Sequence, residues 1–175
     1  GALARTIGDP SAKLWIVEYL DYECVSCREA SEWLGAYLEE HPGAFFLQMR
    51  HYPLRAHDHA VDAAVSAECA ARQRKFWSYH RLLMSRQDVW SRLERPKGIW
   101  ETYAAEAGLD VRRWRECLSD DAVRDQVLQE SIDARAVGVE GTPTIFVGGE
   151  TVIGAALLPE KVEEALRRIE KEGQA

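Results

Sequence analysis

The sequence predicts an α/β protein made of a βαβ half, an all-helical block and a ββα half, and three features predict it. A run of β-formers, Leu14–Leu20, ends in a tight acidic turn, after which apolar residues recur at helical spacing. A long middle stretch, about residues 55–137, is helical in its periodicity throughout. Two short β-forming segments and a last amphipathic segment follow it. The 175 residues suit one domain, residues 1–175, large enough to bury a core without help from metal or disulfides.

Each element has its own signal. Gly8-Asp9-Pro10-Ser11 is a turn leading into the first strand. Leu14–Leu20 is apolar apart from Glu18, which marks a buried strand. Ala30, Trp33, Leu34, Tyr37 and Leu38 then fall on one helical face, so a helix starts near Cys24 and stops by Glu40, where His41-Pro42-Gly43 breaks it. Ala44–Arg50 is a second strand, parallel to the first, which places the turn before Cys24 at a strand's C-terminal end. In the helical block, Val61, Ala64, Val65 and Cys69 form one apolar face and Phe76, Trp77, Tyr79, Leu82 and Leu83 another. Ile99–Ala107, Val111–Leu118 and Ala122–Val137 continue it, punctuated by Gly108 and Ser119-Asp120-Asp121. After the breaker-rich loop Gly138–Pro143, Thr144–Val147 and Thr151–Ile153 make a hairpin across Gly148-Gly149. Pro159 opens a last helix that turns Val162, Leu166 and Ile169 inward.

Composition narrows the function. A formal charge of −7 argues against nucleic acid as a partner. No apolar run approaches a membrane span, and Gly1-Ala2-Leu3-Ala4-Arg5 is no signal peptide, so a leader or anchor would have to lie ahead of Gly1. Four cysteines do not by themselves assign a redox compartment.

The chemistry concentrates in Cys24-Val25-Ser26-Cys27. Two thiols one helical turn apart can close a disulfide, and the first sits where backbone N–H groups and the helix dipole favour an anion. Cys24 is therefore the expected nucleophile and Cys27 the resolving thiol. Neither Val25 nor Ser26 brings a positive charge, so the helix N–H groups must hold the thiolate, with the Ser26 hydroxyl as a candidate donor. Half of a zinc site is the competing reading, but it lacks two further ligands at suitable spacing. Glu18 is either a solvent-facing carboxylate on a sheet edge or a buried acid that relays a proton to or from Cys27. His51, His57 and His59 lack the i, i+4 spacing of a helical metal pair and are expected to cap or pack. The six tryptophans are expected in and near the core, and Arg112-Arg113-Trp114-Arg115 on a solvated helix face.

These residues resemble the thioredoxin superfamily, and within it the DsbA-like thiol–disulfide oxidoreductases. The likeness runs from about Gly8 to Ile169 and has four parts: the Cys24–Cys27 motif between strand and helix, Glu18 six residues before it, Gly141-Thr142-Pro143-Thr144, and Pro53-Leu54-x-x-His57-x-x-Ala60 followed by Phe76-Trp77-x-x-His80. Relatives often carry proline or histidine between the cysteines, where this chain has Val25-Ser26. The resemblance implies a thioredoxin fold with a helical insertion, a cis Thr142–Pro143 bond facing the cysteines, and a peptide-docking edge at Thr142 and Pro143. Some DsbA-like relatives carry a second, structural disulfide in the insertion, so the resemblance points to a Cys69–Cys117 bond, with two unconnected buried thiols as the alternative. No cofactor beyond the redox-active disulfide is implied. The expected function is disulfide donation to reduced or unfolded secreted proteins by a monomer outside the cytoplasm, reoxidised by a membrane quinone-linked partner of the DsbB or VKOR kind. A reductase or isomerase is the alternative, as is a redox-inactive peptide-binding module.

Overall fold

The computed structural model describes residues 2–174. Its sheet has five strands: β1 (Thr6–Gly8), β2 (Trp15–Leu20), β3 (Phe46–His51), β4 (Thr144–Val147) and β5 (Glu150–Ile153), in the spatial order β1-β3-β2-β4-β5. Strand β2 is central. It runs parallel to β3, with Trp15 opposite Phe46 and Leu20 opposite His51, and antiparallel to β4, with Glu18 opposite Ile145.

The βαβ unit is completed by α1 (Val25–Glu40). The helical block holds α2 (Ala60–Arg72), α3 (Phe76–Ser85), the single turn α4 (Gln87–Trp90), α5 (Lys97–Glu106), α6 (Val111–Leu118) and α7 (Asp121–Ala136). Asp110 and Asp120 cap α6 and α7 by accepting backbone N–H bonds from Arg113 and Ala122, each at 3.0 Å. Helix α8 (Leu158–Gly173) lies behind the hairpin, with Pro159 in its first turn.

Among the described residues, one strand differs from the sequence expectation. Strand β1 precedes the expected first strand and pairs antiparallel with β3, Thr6 opposite Gln48 and Gly8 opposite Phe46. Three residues are too few to show an alternating pattern. Gly8 serves strand pairing as well as the turn: its φ is +96°, and a Cβ there would run into the Phe45 carbonyl oxygen.

Two apolar clusters meet at the sheet. Leu14, Ile16, Leu34, Leu47, Ile145, Val147 and Val162 fill the space between the strands, α1 and α8. Ala63, Ala67, Tyr79, Leu83, Trp90, Trp114 and Val127 fill the helical block, and this second cluster extends to Leu20, Cys24 and Cys27. Three of the six tryptophans, Trp90, Trp100 and Trp114, are buried, whereas Trp15 is 55% exposed and packs on Phe46 at 5.0 Å between ring centroids. The arginines flanking Trp114 are solvent-exposed, and Arg115 pairs with Glu101.

A buried ionic clasp joins the chain's start to the helical block. Arg5, 1% exposed, donates to Glu130 through both guanidinium ends, one bond at 2.8 Å, and its Nε lies 3.3 Å from Glu68. Glu130 also accepts the His51 N–H at 2.9 Å, and Gln126 donates to Glu68 at 2.9 Å. Burial alone would neutralise these acids. The Arg5 guanidinium and His51 hold both below the usual carboxylate range instead.

Candidate active site

The site is built where β2 stops. Asp21 and Cys24 close a turn through Cys24 N–H to Asp21 O at 3.1 Å, and the Asp21 carboxylate accepts the Glu23 N–H at 2.7 Å. Cys24 is then the N-cap of α1 in extended conformation (φ −76°, ψ 118°), and its sulfur accepts the Cys27 N–H at 3.2 Å. A thiol in this position occupies the place of a capping oxygen, where a negative charge is favoured. Gln87, buried in α4, donates to the carbonyls of Tyr22 at 2.6 Å and Cys24 at 2.9 Å, pinning the turn to the helical block.

The two thiols are unequal. Cys24 retains 9% of its surface, and Cys27 none. Hydrogen bonding with the Cys27 thiol, and then with Thr142 and the Cys27 N–H, brings the Cys24 thiol down to about 6 against the opposing effects of burial and the Asp21 carboxylate. Burial pushes Cys27 well above the ordinary thiol range, and hydrogen bonding to Cys24 adds to the shift. Thr142 faces the pair from the loop before β4: the Cys24 thiol donates to its carbonyl at 3.5 Å, and the Thr142–Pro143 bond is cis.

Glu18 occupies no edge position. It sits mid-way along the central strand with no exposed surface, and Ser31 on α1 donates to one of its oxygens at 2.8 Å. Burial raises its carboxyl to about 8; the Ser31 bond opposes that rise and the Cys24 charge assists it. Its second oxygen makes no hydrogen bond. Both Glu18 and Ser31 line a cleft of about 1180 Å³ between α1 and α3, whose walls include Leu47, Trp77 and His80. His80 is neutral there, since burial drives it down to about 3, and its Nδ1 meets the Tyr22 hydroxyl at 2.9 Å.

The structure gives Ser26 a partner that the sequence does not show. Its Oγ accepts the Ala155 N–H at 3.2 Å, tying the start of α1 to the loop between β5 and α8, while the Cys27 N–H and Thr142 serve the Cys24 sulfur. Cys69 on α2 and Cys117 on α6 are disulfide-bonded, with Cα atoms 5.8 Å apart. His57 does not simply pack: its Nδ1 lies 2.8 Å from the Asp21 carboxylate, which also accepts the Leu54 N–H at 2.7 Å. The His59 N–H is held by Glu23 at 2.8 Å. Among the described residues no cluster of three or more His, Cys, Asp or Glu side chains is arranged to hold a metal. Asp21 and Gln87 are site residues that sequence reasoning misses, and the contact of His57 with Asp21 goes beyond the capping or packing expected of it. Gln87 lies 63 positions from Cys24, and only the fold brings it there.

A family model described as thioredoxin matches residues 3–168. A Na(+)/H(+) antiporter NhaA 3 from Salinispora tropica is 36% identical over 143 residues, which is 81% of this chain and 21% of that protein. The chain thus spans about a fifth to a quarter of the length of the curated relatives it matches. Among solved structures, oxidised BdbD from Bacillus subtilis superposes with a TM-score of 0.79 at 21% identity, covering 93% of this chain and 92% of the other. The thiol-disulfide exchange protein alpha-DsbA2 from Wolbachia pipientis does so at 0.76 and 21%, covering 91% and 85%. The chain therefore belongs to the thioredoxin family, and its helical block between the βαβ and ββα halves gives it the DsbA-like form of that fold.

Proposed function

We propose that this chain is a protein thiol–disulfide oxidoreductase that donates its Cys24–Cys27 disulfide to reduced, unfolded proteins. The observation that carries this reading is the Cys24 sulfur at the N-terminus of α1, 3.2 Å from the Cys27 N–H, with its thiol brought down to about 6. Stabilising the Cys24 thiolate stabilises the reduced form relative to the disulfide, which drives the bond outward to substrate.

The electrons balance through sulfur alone. A substrate thiolate attacks Cys24 of the oxidised pair, forming the mixed disulfide and releasing Cys27 as thiolate. A second substrate thiolate then attacks the substrate sulfur of that bond, and Cys24 leaves as the stabilised thiolate. The substrate loses two electrons and the cysteine pair gains them. In reoxidation Cys24 attacks a disulfide of a membrane quinone-linked partner, and Cys27, after losing its proton, resolves the adduct. No further cofactor takes part. Thr142 and Pro143 offer backbone beside Cys24 on which an extended substrate segment can add as a strand.

The Cys69–Cys117 disulfide supports an oxidising, extracytoplasmic setting. No helix among the described residues is long and apolar enough to cross a membrane. The chain acts as a monomer in this reading. The likeness to NhaA antiporters concerns a stretch of about 150 residues, and we infer that it marks a thioredoxin-like segment within those longer proteins rather than ion transport by this chain.

Stoichiometric transfer tests the reading: the oxidised protein, mixed with a reduced unfolded protein carrying paired thiols, should end reduced while its substrate gains disulfides. Substrate thiols left untouched would contradict it.

In this reading Glu18 is the proton relay to Cys27: one of its carboxyl oxygens makes no hydrogen bond, and the residue lines the cleft between α1 and α3. Glu18→Gln should therefore slow proton-coupled loss or resolution of Cys27 by roughly tenfold or more. The same variant should be more stable. The folded-state carboxyl stands at about 8, so between its unfolded value near 4.5 and 8 the folded protein keeps a proton that the unfolded chain releases. Stability is then lost as pH rises. The glutamine, which cannot ionise, should gain about 3 kcal/mol at pH 7 and nothing near pH 4. Denaturant midpoints at the two pH values check this.

A further inference from the structure

The turn that presents Cys24 carries a negative charge that works against the thiolate. Asp21 is bonded through its backbone to Cys24 and is 1% exposed, and its carboxylate disfavours the Cys24 anion. That carboxylate is committed on all sides: to Glu23 N–H and Leu54 N–H, each at 2.7 Å, and to His57 Nδ1 at 2.8 Å. His57 is partly solvent-exposed, with 31% of its side chain accessible, so it can exchange a proton freely. The C-x-x-C motif itself contains no cation.

We propose that His57 is the switchable positive charge of this site, a positioning and tuning residue that cancels Asp21 when protonated and so favours the Cys24 thiolate. The inference rests on the reading of Cys24 as the exchange thiol. With His57 neutral the Asp21–His57 pair carries a full negative charge beside Cys24; with His57 protonated it carries none. The groups acting on His57 are Asp21 and Glu23 from the turn and Cys24 from the helix start. Against the opposing effect of burial, the hydrogen bond and charge of Asp21, then Glu23 and Cys24, raise its pKa above the ordinary 6.5. The Cys24 thiolate raises His57, and by reciprocity protonated His57 must lower Cys24. As pH rises through the His57 pKa, the support is withdrawn. The reduced form is then less favoured and the protein becomes a weaker oxidant than Cys24 ionisation alone would make it.

The test is an NMR titration of the His57 imidazole in the oxidised and in the reduced protein. The midpoint should be higher in the reduced protein, where the Cys24 charge is present, and coincident midpoints overturn the inference. In parallel, thiolate absorbance at pH 6 should fall at least about twofold in His57→Gln and stay near the parent value in His57→Lys, which keeps a cation in reach of Asp21. Equal loss in both variants would mean that His57 serves only to dock the loop, and would likewise overturn it. A parent protein whose Cys24 ionises only in the ordinary thiol range would instead overturn the exchange reading beneath it.

Discussion

Cys24→Ser is expected to abolish disulfide exchange, with a loss of at least about 10³-fold, because a hydroxyl has no thiolate to offer at neutral pH and cannot form the mixed disulfide. Cys27→Ser should behave differently. It leaves the more accessible sulfur in place with its Thr142 contact at 3.5 Å, so Cys24 can still attack a substrate or partner disulfide. The adduct then persists, because the buried resolving thiol is gone. A non-reducing gel should show a covalent complex for Cys27→Ser and none for Cys24→Ser. In the parent protein, attack by Cys24 should also follow the Cys24 titration: its rate is near maximal above about pH 7 and falls roughly tenfold per pH unit well below 6, where the thiol is protonated. A complex trapped by Cys24→Ser but not by Cys27→Ser would reverse the roles of the two thiols.

The second large effect lies away from the site. The Cys69–Cys117 bond closes 48 residues of sequence and ties α2 to α6. In the chain-entropy account a loop of that length restricts the unfolded chain by about 4 kcal/mol, a large share of the roughly 5–15 kcal/mol by which domains are folded. The Cys69→Ala, Cys117→Ala double variant should therefore unfold at a much lower denaturant concentration while exchange by Cys24 proceeds at the parent rate under conditions where it stays folded. An unchanged midpoint would show that the bond contributes nothing to stability. A changed exchange rate would couple the insertion to the cysteines.

The elements that read clearly from sequence are those whose pattern is local. Leu14–Leu20 and Thr144–Val147 announce themselves by β-forming runs, α1 by its apolar face and the His41-Pro42-Gly43 stop, and Cys24–Cys27 by spacing. Strand β1 does not, because three residues hold no period and its pairing with β3 is a contact across some 40 positions. The same limit hides the charged parts. Arg5 reads as an exposed residue near the chain's start, yet it is buried between Glu68 and Glu130, 63 and 125 positions away. Asp21 and His57, 36 positions apart, look like a turn acid and a helix-start histidine until the fold closes the loop between them. Glu18 shows the converse: an acid within an apolar strand is conspicuous, and only the strand order makes it central rather than peripheral. The partner of the Ser26 hydroxyl, Ala155, is hidden for the same reason: sequence shows neighbours along the chain, and Ala155 comes from the loop after β5.

The most direct test of the central claim is the reduction potential of the Cys24–Cys27 pair, measured by equilibration with glutathione buffers in the Cys69→Ala, Cys117→Ala background. Stabilisation of the Cys24 thiolate should place it above about −200 mV, toward the roughly −120 mV of a strong disulfide donor. A potential near the roughly −270 mV of thioredoxin would differ by about 70 mV, more than 3 kcal/mol in the exchange equilibrium, and would make this protein a reductant rather than a donor.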